Sequence, residues 1–187
     1  AYLSALEVRE GIAPGTLGVL PIVTETAAAM LQMGGYGPAS PRLCGMLWGG
    51  EDLSADIGAV ANKDDQGGYT APYVLARTLT LLAASAAQVG AVDAVYTDFR
   101  DSDGLRAEAA QALRDGFTGK AAIHPDQVAV INAAFSPSTQ DLATARAVIA
   151  AFDANPRAGA ISLDGKMLDR PHYRAAQRVL ARASNTR

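Results

Sequence analysis

Apolar and polar positions follow two rhythms along this chain. Four short runs, 17–24 (LGVLPIVT), 42–48 (RLCGMLW), 92–97 (VDAVYT) and 119–123 (GKAAI), are mostly apolar and bounded by Gly, Pro or charged residues. Runs of that length predict strands buried on both faces of a parallel sheet. Between them the spacing turns helical: 26–33 (TAAAMLQM), then 71–89 with Val74, Leu75, Leu79, Leu82 and Ala86, then 103–115 with Leu105, Ala109, Ala112 and Leu113. Strand and helix in alternation mark parallel βαβ units. Residues 126–134 and 141–152 predict two more helices, parted at Pro137, which cannot continue a helix. Residues 155–170 (NPRAGAISLDGKMLDR) are rich in Gly and Asp, and 171–184 predicts a last helix with Pro171 in its favoured first turn.

Composition narrows the class. The 187 residues are 49% hydrophobic, enough for a core of one ordinary domain or part of a larger one. Sixteen basic against nineteen acidic residues give a net charge of −3, which offers no electrostatic reason to expect nucleic acid. One cysteine, Cys44, cannot form an intrachain disulfide, so an oxidised secreted framework is excluded. The opening AYLSALEVRE lacks the regions of a signal peptide, and the longest apolar stretch, near 73–97, is interrupted by Arg77, Gln88, Asp93 and Asp98. The expectation is a cytoplasmic protein without a membrane partner. The chain begins without Met, which predicts sequence upstream.

In parallel α/β proteins the chemistry gathers where strands end. The strand ends here read Thr24-Glu25-Thr26, Gly49-Gly50-Glu51-Asp52, Asp98-Phe99-Arg100-Asp101 and His124-Pro125. Glu25 and Asp52 are 27 residues apart, one βα unit, so they fall on neighbouring strands, which lie about 4.8 Å apart. Two carboxylates so placed can share one Mg²⁺, which commonly takes only one or two carboxylates. The same positions suit a helix cap for Glu25 and a turn for Asp52, and spacing alone leaves both readings open. Glu51 is expected to be solvated or paired with an arginine. Gly49 and Gly50 suit either a tight turn or a close backbone approach to a ligand.

His124 is expected to pack in a turn and His172 to have no special role. Neither has a second His or Cys at zinc-ligand spacing. Cys44 is expected to be buried in its strand. The Asp98, Arg100 and Asp101 cluster is expected to order a loop by ion pairing. No phosphate loop, GxGxxG fingerprint or nucleophile elbow occurs.

Five segments in order, PIVTET, LWGGEDLSADIG, VDAVYTDFRDSDGLRAEA, GKAAIHPDQV and LDGKMLDRPH, resemble the HpcH/HpaI aldolase and citrate lyase β-subunit (CitE-like) family, in its malyl-CoA or citramalyl-CoA lyase branch. The resemblance runs from about residue 17 to the C-terminus. It implies an α/β fold of the (β/α)₈ TIM-barrel type, with the C-terminal half of the barrel over 1–135 and a helical extension over 136–187. It implies a homo-oligomer, trimer or hexamer, that uses Mg²⁺, with Mn²⁺ as a substitute, to cleave or form a carbon–carbon bond between a 2-oxo acid and an acyl-CoA enolate. The metal ligands would be Glu25 and Asp52. Glu25, Gly50, Glu51 and Asp52 would contact the oxo acid, and Ile123, His124 and Pro125 would lie near the CoA. Asp169, in Gly165-Lys166-Met167-Leu168-Asp169, would be the acid/base at the enolate carbon, reaching into a neighbouring subunit with its pKa tuned by a partly desolvated site.

Four strands cannot close an eight-stranded barrel. The expectation is therefore that the protein extends upstream of Ala1, or that this chain pairs with another and is inactive alone. Alternatives within the resemblance are a citrate lyase β subunit acting on an acyl carrier protein thioester, hydrolysis of malyl-CoA at the same site, and a non-catalytic scaffold.

Overall fold

The computed structural model describes residues 2–36 and 40–185, which fall into two compact units, Ala1–Ala134 and Phe135–Arg187. In the first unit, helix α1 (Tyr2–Arg9) leads into an extended segment, then α2 (Ala27–Leu31) and a 3₁₀ turn (Met33–Gly35). Strand β1 (Gly45–Leu47), α3 (Glu51–Ile57), α4 (Ala71–Ala86), β2 (Gly90–Asp93), α5 (Ser102–Asp115), β3 (Gly119–Lys120) and α6 (Pro125–Phe135) follow. The sheet is parallel in the order β1-β2-β3, with Leu47 beside Val92 and Asp93 beside Lys120. Each crossover carries a helix, the βαβ arrangement that the alternating pattern predicts.

The strands are shorter than the apolar runs. The 17–24 run makes two isolated parallel bridges, Val19 to Leu43 and Ile22 to Leu47. The spacing between partners changes from one bridge to the next, so the ladder bulges where Pro21 has no N–H to give. Gly45 lies in the bulge, where a Cβ would stand 2.7 Å from Leu20 Cδ1 and 3.1 Å from Gly90 O. The 92–97 run is a strand only to Asp93. Beyond it the carbonyl of Ala94 accepts from Lys120 Nζ (2.7 Å) and that of Tyr96 from Gln127 Nε2 (2.8 Å), so side chains replace a sheet partner. Past β3, the amide of Ile123 likewise donates to Gln127 Oε1 at 2.9 Å.

Helix α1 was not legible in the pattern. Its buried Glu7 takes Arg42 Nη2 (2.6 Å) and the amides of Gly15 (2.8 Å) and Leu17 (2.7 Å). These donors, Arg42 first, hold the Glu7 carboxyl well below its usual range, at about 2. The contacts pin the start of the first extended segment against the chain entering β1.

The second unit contains α7 (Thr139–Asp153), the antiparallel hairpin β4 (Ala160–Leu163) and β5 (Lys166–Asp169), and α8 (Arg170–Asn185). Ser138 and Asp141 form a capping box at the start of α7. Val148 and Phe152 of α7 pack with Ala176 of α8, flanked by Ile161, Leu168 and Val179. The hairpin corrects the reading of 155–170 as merely Gly- and Asp-rich. Its two-residue turn is Asp164-Gly165, both at positive φ (49° and 74°), as a tight hairpin of the observed twist requires. Among the described residues no helix is long and apolar enough to cross a membrane.

Candidate active site

The end of the first extended segment is tied to the end of β1 by one side chain. The buried Thr24 hydroxyl donates to Gly49 O (2.7 Å) and accepts from Gly49 N (2.8 Å). Glu25 follows Thr24, and Asp52 follows Gly49 by three residues in the first turn of α3, so this clasp brings both acids to one rim. The helix caps are supplied elsewhere. Thr26 accepts from Ala29 N at 3.1 Å, and Asp56 of α3 reaches across to accept from Ala27 N at 2.7 Å. Glu25 is thereby left out of capping, which settles one of the alternatives that spacing left open.

Neither Glu25 nor Asp52 has a hydrogen-bond or ion-pair partner among the described residues. Burial, and then the negative charge of Asp52, raise the Glu25 pKa above its ordinary value. The two acids border a pocket of about 220 Å³ with Ile22, Trp48, Val95 and Lys63 also on its walls. Glu51, expected to be solvated or paired with arginine, instead accepts from Asn62 Nδ2 at 2.8 Å and borders the same pocket. Tyr69 closes one side, its ring 5.0 Å from that of Trp48 and nearly edge-on, and burial pushes its phenol well above the ordinary range. Gly50 is held tight, since a Cβ there would come within 3.3 Å of Tyr73.

The donor set fits a Mg²⁺ ion. Among the described residues no three or more His, Cys, Asp or Glu side chains form a metal cage. Two donor-free carboxylates that repel each other suit a hard cation that keeps water and substrate oxygens in its remaining positions. They do not suit structural zinc, which wants four protein ligands.

Lys63 is the one basic residue among the described lining of the pocket. Its ammonium stands over the rings of Tyr69 (4.7 Å) and Tyr96 (5.8 Å) and lies 3.6 Å from Glu108, beyond hydrogen-bond range. Glu108 is engaged by Lys120. Lys120 also donates to the fully buried Asp93 (3.0 Å), which takes Trp48 Nε1 (2.7 Å) and Arg77 Nε (3.0 Å). This buried network behind Trp48 escaped the sequence reading. Its trace there is a charged residue inside each of two apolar runs, Asp93 and Lys120, which prove to be register partners.

His124 stacks on Phe99 with ring centroids 4.7 Å apart, and its Nδ1 accepts from Asp126 N at 3.2 Å. Ile123 and Pro125 beside it are exposed. The 98–101 loop is ordered differently from the expected ion pairs. Asp101 caps α5 through Gly104 N (2.9 Å) and accepts from Tyr96, while Arg100 lies over the Phe99 ring. Cys44, expected to be buried in its strand, is exposed, and β1 begins only one residue later, at Gly45.

Asp169 closes β5 in the second unit. Its carboxylate lies 2.6 Å from His172 Nδ1, a partner absent from the expectation that His172 is ordinary. That hydrogen bond, first among the causes, lowers the Asp169 pKa, and the side chain is 47% exposed in the single chain.

Fold and pocket together define a segment of a parallel β/α barrel whose strand ends carry an acidic pocket. The chain belongs to the HpcH/HpaI aldolase/citrate lyase family, which it matches over residues 2–125. It is 36% identical over 175 residues to the mitochondrial citramalyl-CoA lyase of Rattus norvegicus, covering 92% of this chain and 48% of the relative. It is 40% identical over 164 residues to a (3S)-malyl-CoA thioesterase of Cereibacter sphaeroides, covering 85% and 54%. The crystal structure of CitE from Mycobacterium tuberculosis in complex with magnesium, acetoacetate and coenzyme A superposes with a TM-score of 0.72 and 33% identity, covering 96% of this chain and 72% of that one. The chain spans about half the length of the curated relatives it matches.

Proposed function

We propose that this protein is a Mg²⁺-dependent carbon–carbon lyase that cleaves, or forms, a 3-hydroxyacyl-CoA such as malyl-CoA or citramalyl-CoA. The observation that carries the reading is the pair Glu25 and Asp52, two carboxylates without donors on one pocket rim. These two would hold the ion, with Mn²⁺ able to replace it. Bound there, the metal supplies a Lewis acid for the 2-oxo oxygen and a grip on the adjacent carboxylate.

The chain's own residues do the rest. The backbone of Gly50, Glu51 and Asp52 borders the place for the oxo acid. Lys63 has unspent N–H donors and offers its charge to the substrate carboxylate. Apolar Ile22 and Val95 line the same pocket, Ile22 being 43% exposed in the free chain. The Phe99–His124 stack, beside Ile123 and Pro125, offers a flat surface for the CoA. Asp169 carries the acid/base function at the carbon next to the thioester, acting on a neighbouring copy in a trimer or hexamer. Met167 on the same strand, 78% exposed, is an apolar side chain that such an interface would cover. A reducing compartment, the cytoplasm, accords with a single cysteine.

The relative named as a thioesterase favours one second reading, hydrolysis of malyl-CoA at the same pocket. One experiment separates them. The protein is incubated with malyl-CoA and citramalyl-CoA in Mg²⁺ or in chelator. A lyase releases glyoxylate or pyruvate with the acyl-CoA, and a thioesterase releases the hydroxy acid with free CoA. Turnover that survives both chelator and Glu25→Ala/Asp52→Ala ends the metal assignment.

A further inference from the structure

A closed ring of side chains runs behind the pocket. Trp48, after β1, donates to Asp93 at the end of β2 (2.7 Å), and Asp93 accepts from Lys120 of β3 (3.0 Å). Lys120 donates to Glu108 of α5, and Glu108 faces Lys63 (3.6 Å). Lys63 stands over the Tyr69 ring (4.7 Å), which packs edge-on against Trp48. The two carboxylate oxygens of Glu108 serve different ammoniums: Oε1 accepts from Lys120, and Oε2 turns to Lys63. Lys120 cannot give way. Its side chain is fully buried, and its N–H groups are spent on Asp93, Glu108 and the carbonyl of Ala94. Glu108 is therefore clamped from behind, on a helix whose N-cap Asp101 also holds the Tyr96 hydroxyl at 2.7 Å.

Lys63 needs such a hold. It shares the walls of the pocket with the acids Glu25, Glu51 and Asp52. Its backbone is pinned, since Lys63 bridges to Tyr69 and Asp64 accepts from the amides of Gln66 and Gly68 (2.9 Å each). Its four-carbon stem is flexible, however, and ends in a point charge that any nearby carboxylate attracts. An ammonium drawn onto Glu25 or Asp52 would take the place of a divalent cation. Lys63 instead forms its ion pair with Glu108 and, among the described residues, none with the acids of the pocket.

From this geometry we propose that Glu108 is a positioning residue: it holds the Lys63 ammonium against the Tyr69 and Tyr96 faces and so keeps it off Glu25 and Asp52, which stay open to Mg²⁺. The proposal rests on the metal reading of those two acids and adds what protects them from the pocket's own cation. Glu108 is not among the residues that line the pocket, so it acts through Lys63. The same hold leaves the ammonium facing an incoming carboxylate instead of losing it to an internal one.

Manganese alone tests it, its binding to the purified protein read by electron paramagnetic resonance with no substrate present. Glu108→Gln should weaken binding about tenfold, within the usual range for coupled neighbours. Glu108→Gln/Lys63→Met should restore the wild-type affinity, and Lys63→Met alone should leave it unchanged. A merely structural role for Glu108 would give a loss that Lys63→Met cannot restore. Simple addition of charges would make Lys63→Met alone tighten binding by the factor it restores. Either result overturns the proposal, as does wild-type affinity in Glu108→Gln. Glu108→Asp is the second variant. It keeps the charge that Lys120 needs and, one methylene shorter, withdraws from the longer contact to Lys63. It should show a smaller loss, again restored by Lys63→Met. If binding needs Glu25 and Asp52 but ignores Glu108, this proposal falls and the metal reading stands. If wild type binds no manganese, or Glu25→Gln/Asp52→Asn binds it equally well, both fall.

Discussion

The indole N–H of Trp48 donates to the buried Asp93 carboxylate at 2.7 Å, joining the residue after β1 to the last residue of β2. Asp93 also receives Arg77 and Lys120, so a wall of the pocket is anchored to a buried charge cluster. Breaking a buried ion pair leaves a charge without its partner and costs about 3–5 kcal/mol. Asp93→Asn should fall near the lower end, because Glu108 still holds Lys120. Urea unfolding followed by Trp48 fluorescence measures this. A midpoint within error of wild type would show that the cluster adds nothing to stability.

Glu25 and Asp52 should make the metal-free protein more stable when one charge is removed. The folded-state pKa of Glu25 is raised, so the folded form binds its proton more tightly than the unfolded form. The site therefore favours folding at acid pH, and that help is lost as pH rises through 4.5 toward the raised value. Glu25→Gln should accordingly raise the melting temperature slightly in chelator at pH 7. Mg²⁺ or Mn²⁺ should stabilise wild type but neither Glu25→Gln nor Asp52→Asn, and manganese binding read by electron paramagnetic resonance should weaken as pH falls through the raised Glu25 value. Equal metal stabilisation of all three proteins would refute the pairing.

Glu7 predicts the opposite pH response. Its folded-state pKa of about 2 lies below the unfolded value of 4.5. Its contribution is therefore complete above the unfolded value and is lost as pH falls toward 2. Wild type should lose stability over that window, whereas Glu7→Gln should be weaker at pH 7 and flatter below pH 4.5. Denaturant midpoints at a series of pH values give the two slopes.

Lys63→Met should raise the KM for the oxo acid about tenfold or more, the loss of one hydrogen bond to a charged group at about 1.5–3 kcal/mol. Manganese affinity and melting temperature should hardly move, because the ion pair with Glu108 is long and partly exposed. An unchanged KM would leave the lysine with only its two aromatic contacts and its long ion pair with Glu108.

Gly165 sits at φ 74° in the hairpin that presents Asp169. A Cβ meets nothing there, so Gly165→Ala tests backbone strain alone, at about 1–2 kcal/mol. Stability should drop by that amount, and turnover more than Asp164→Asn lowers it, since asparagine tolerates positive φ.

Local signals account for what the pattern made legible. Helices α4, α5 and α7 were visible because their apolar positions repeat at helical spacing. The strand positions were visible because buried parallel strands need apolar runs. Strand lengths were not, because pairing stops where Lys120 and Gln127 take carbonyls that a ladder would use, and those contacts span 26 and 31 residues. Helix α3 was hidden behind its Gly-Gly-Glu-Asp start. The hairpin was missed although Asp-Gly between SL and KM residues is a strong turn signal.

By itself the sequence determined the alternation of strand and helix, the family, and which acids stand at the strand ends, since each is written in neighbouring residues. Only the tertiary structure decided that Thr24 clasps Gly49, that Thr26 and Asp56 relieve Glu25 of capping, that Cys44 is open to solvent and that His172 grips Asp169. Side-chain direction and the competition among donors decide such contacts, and both are set only once distant segments have packed.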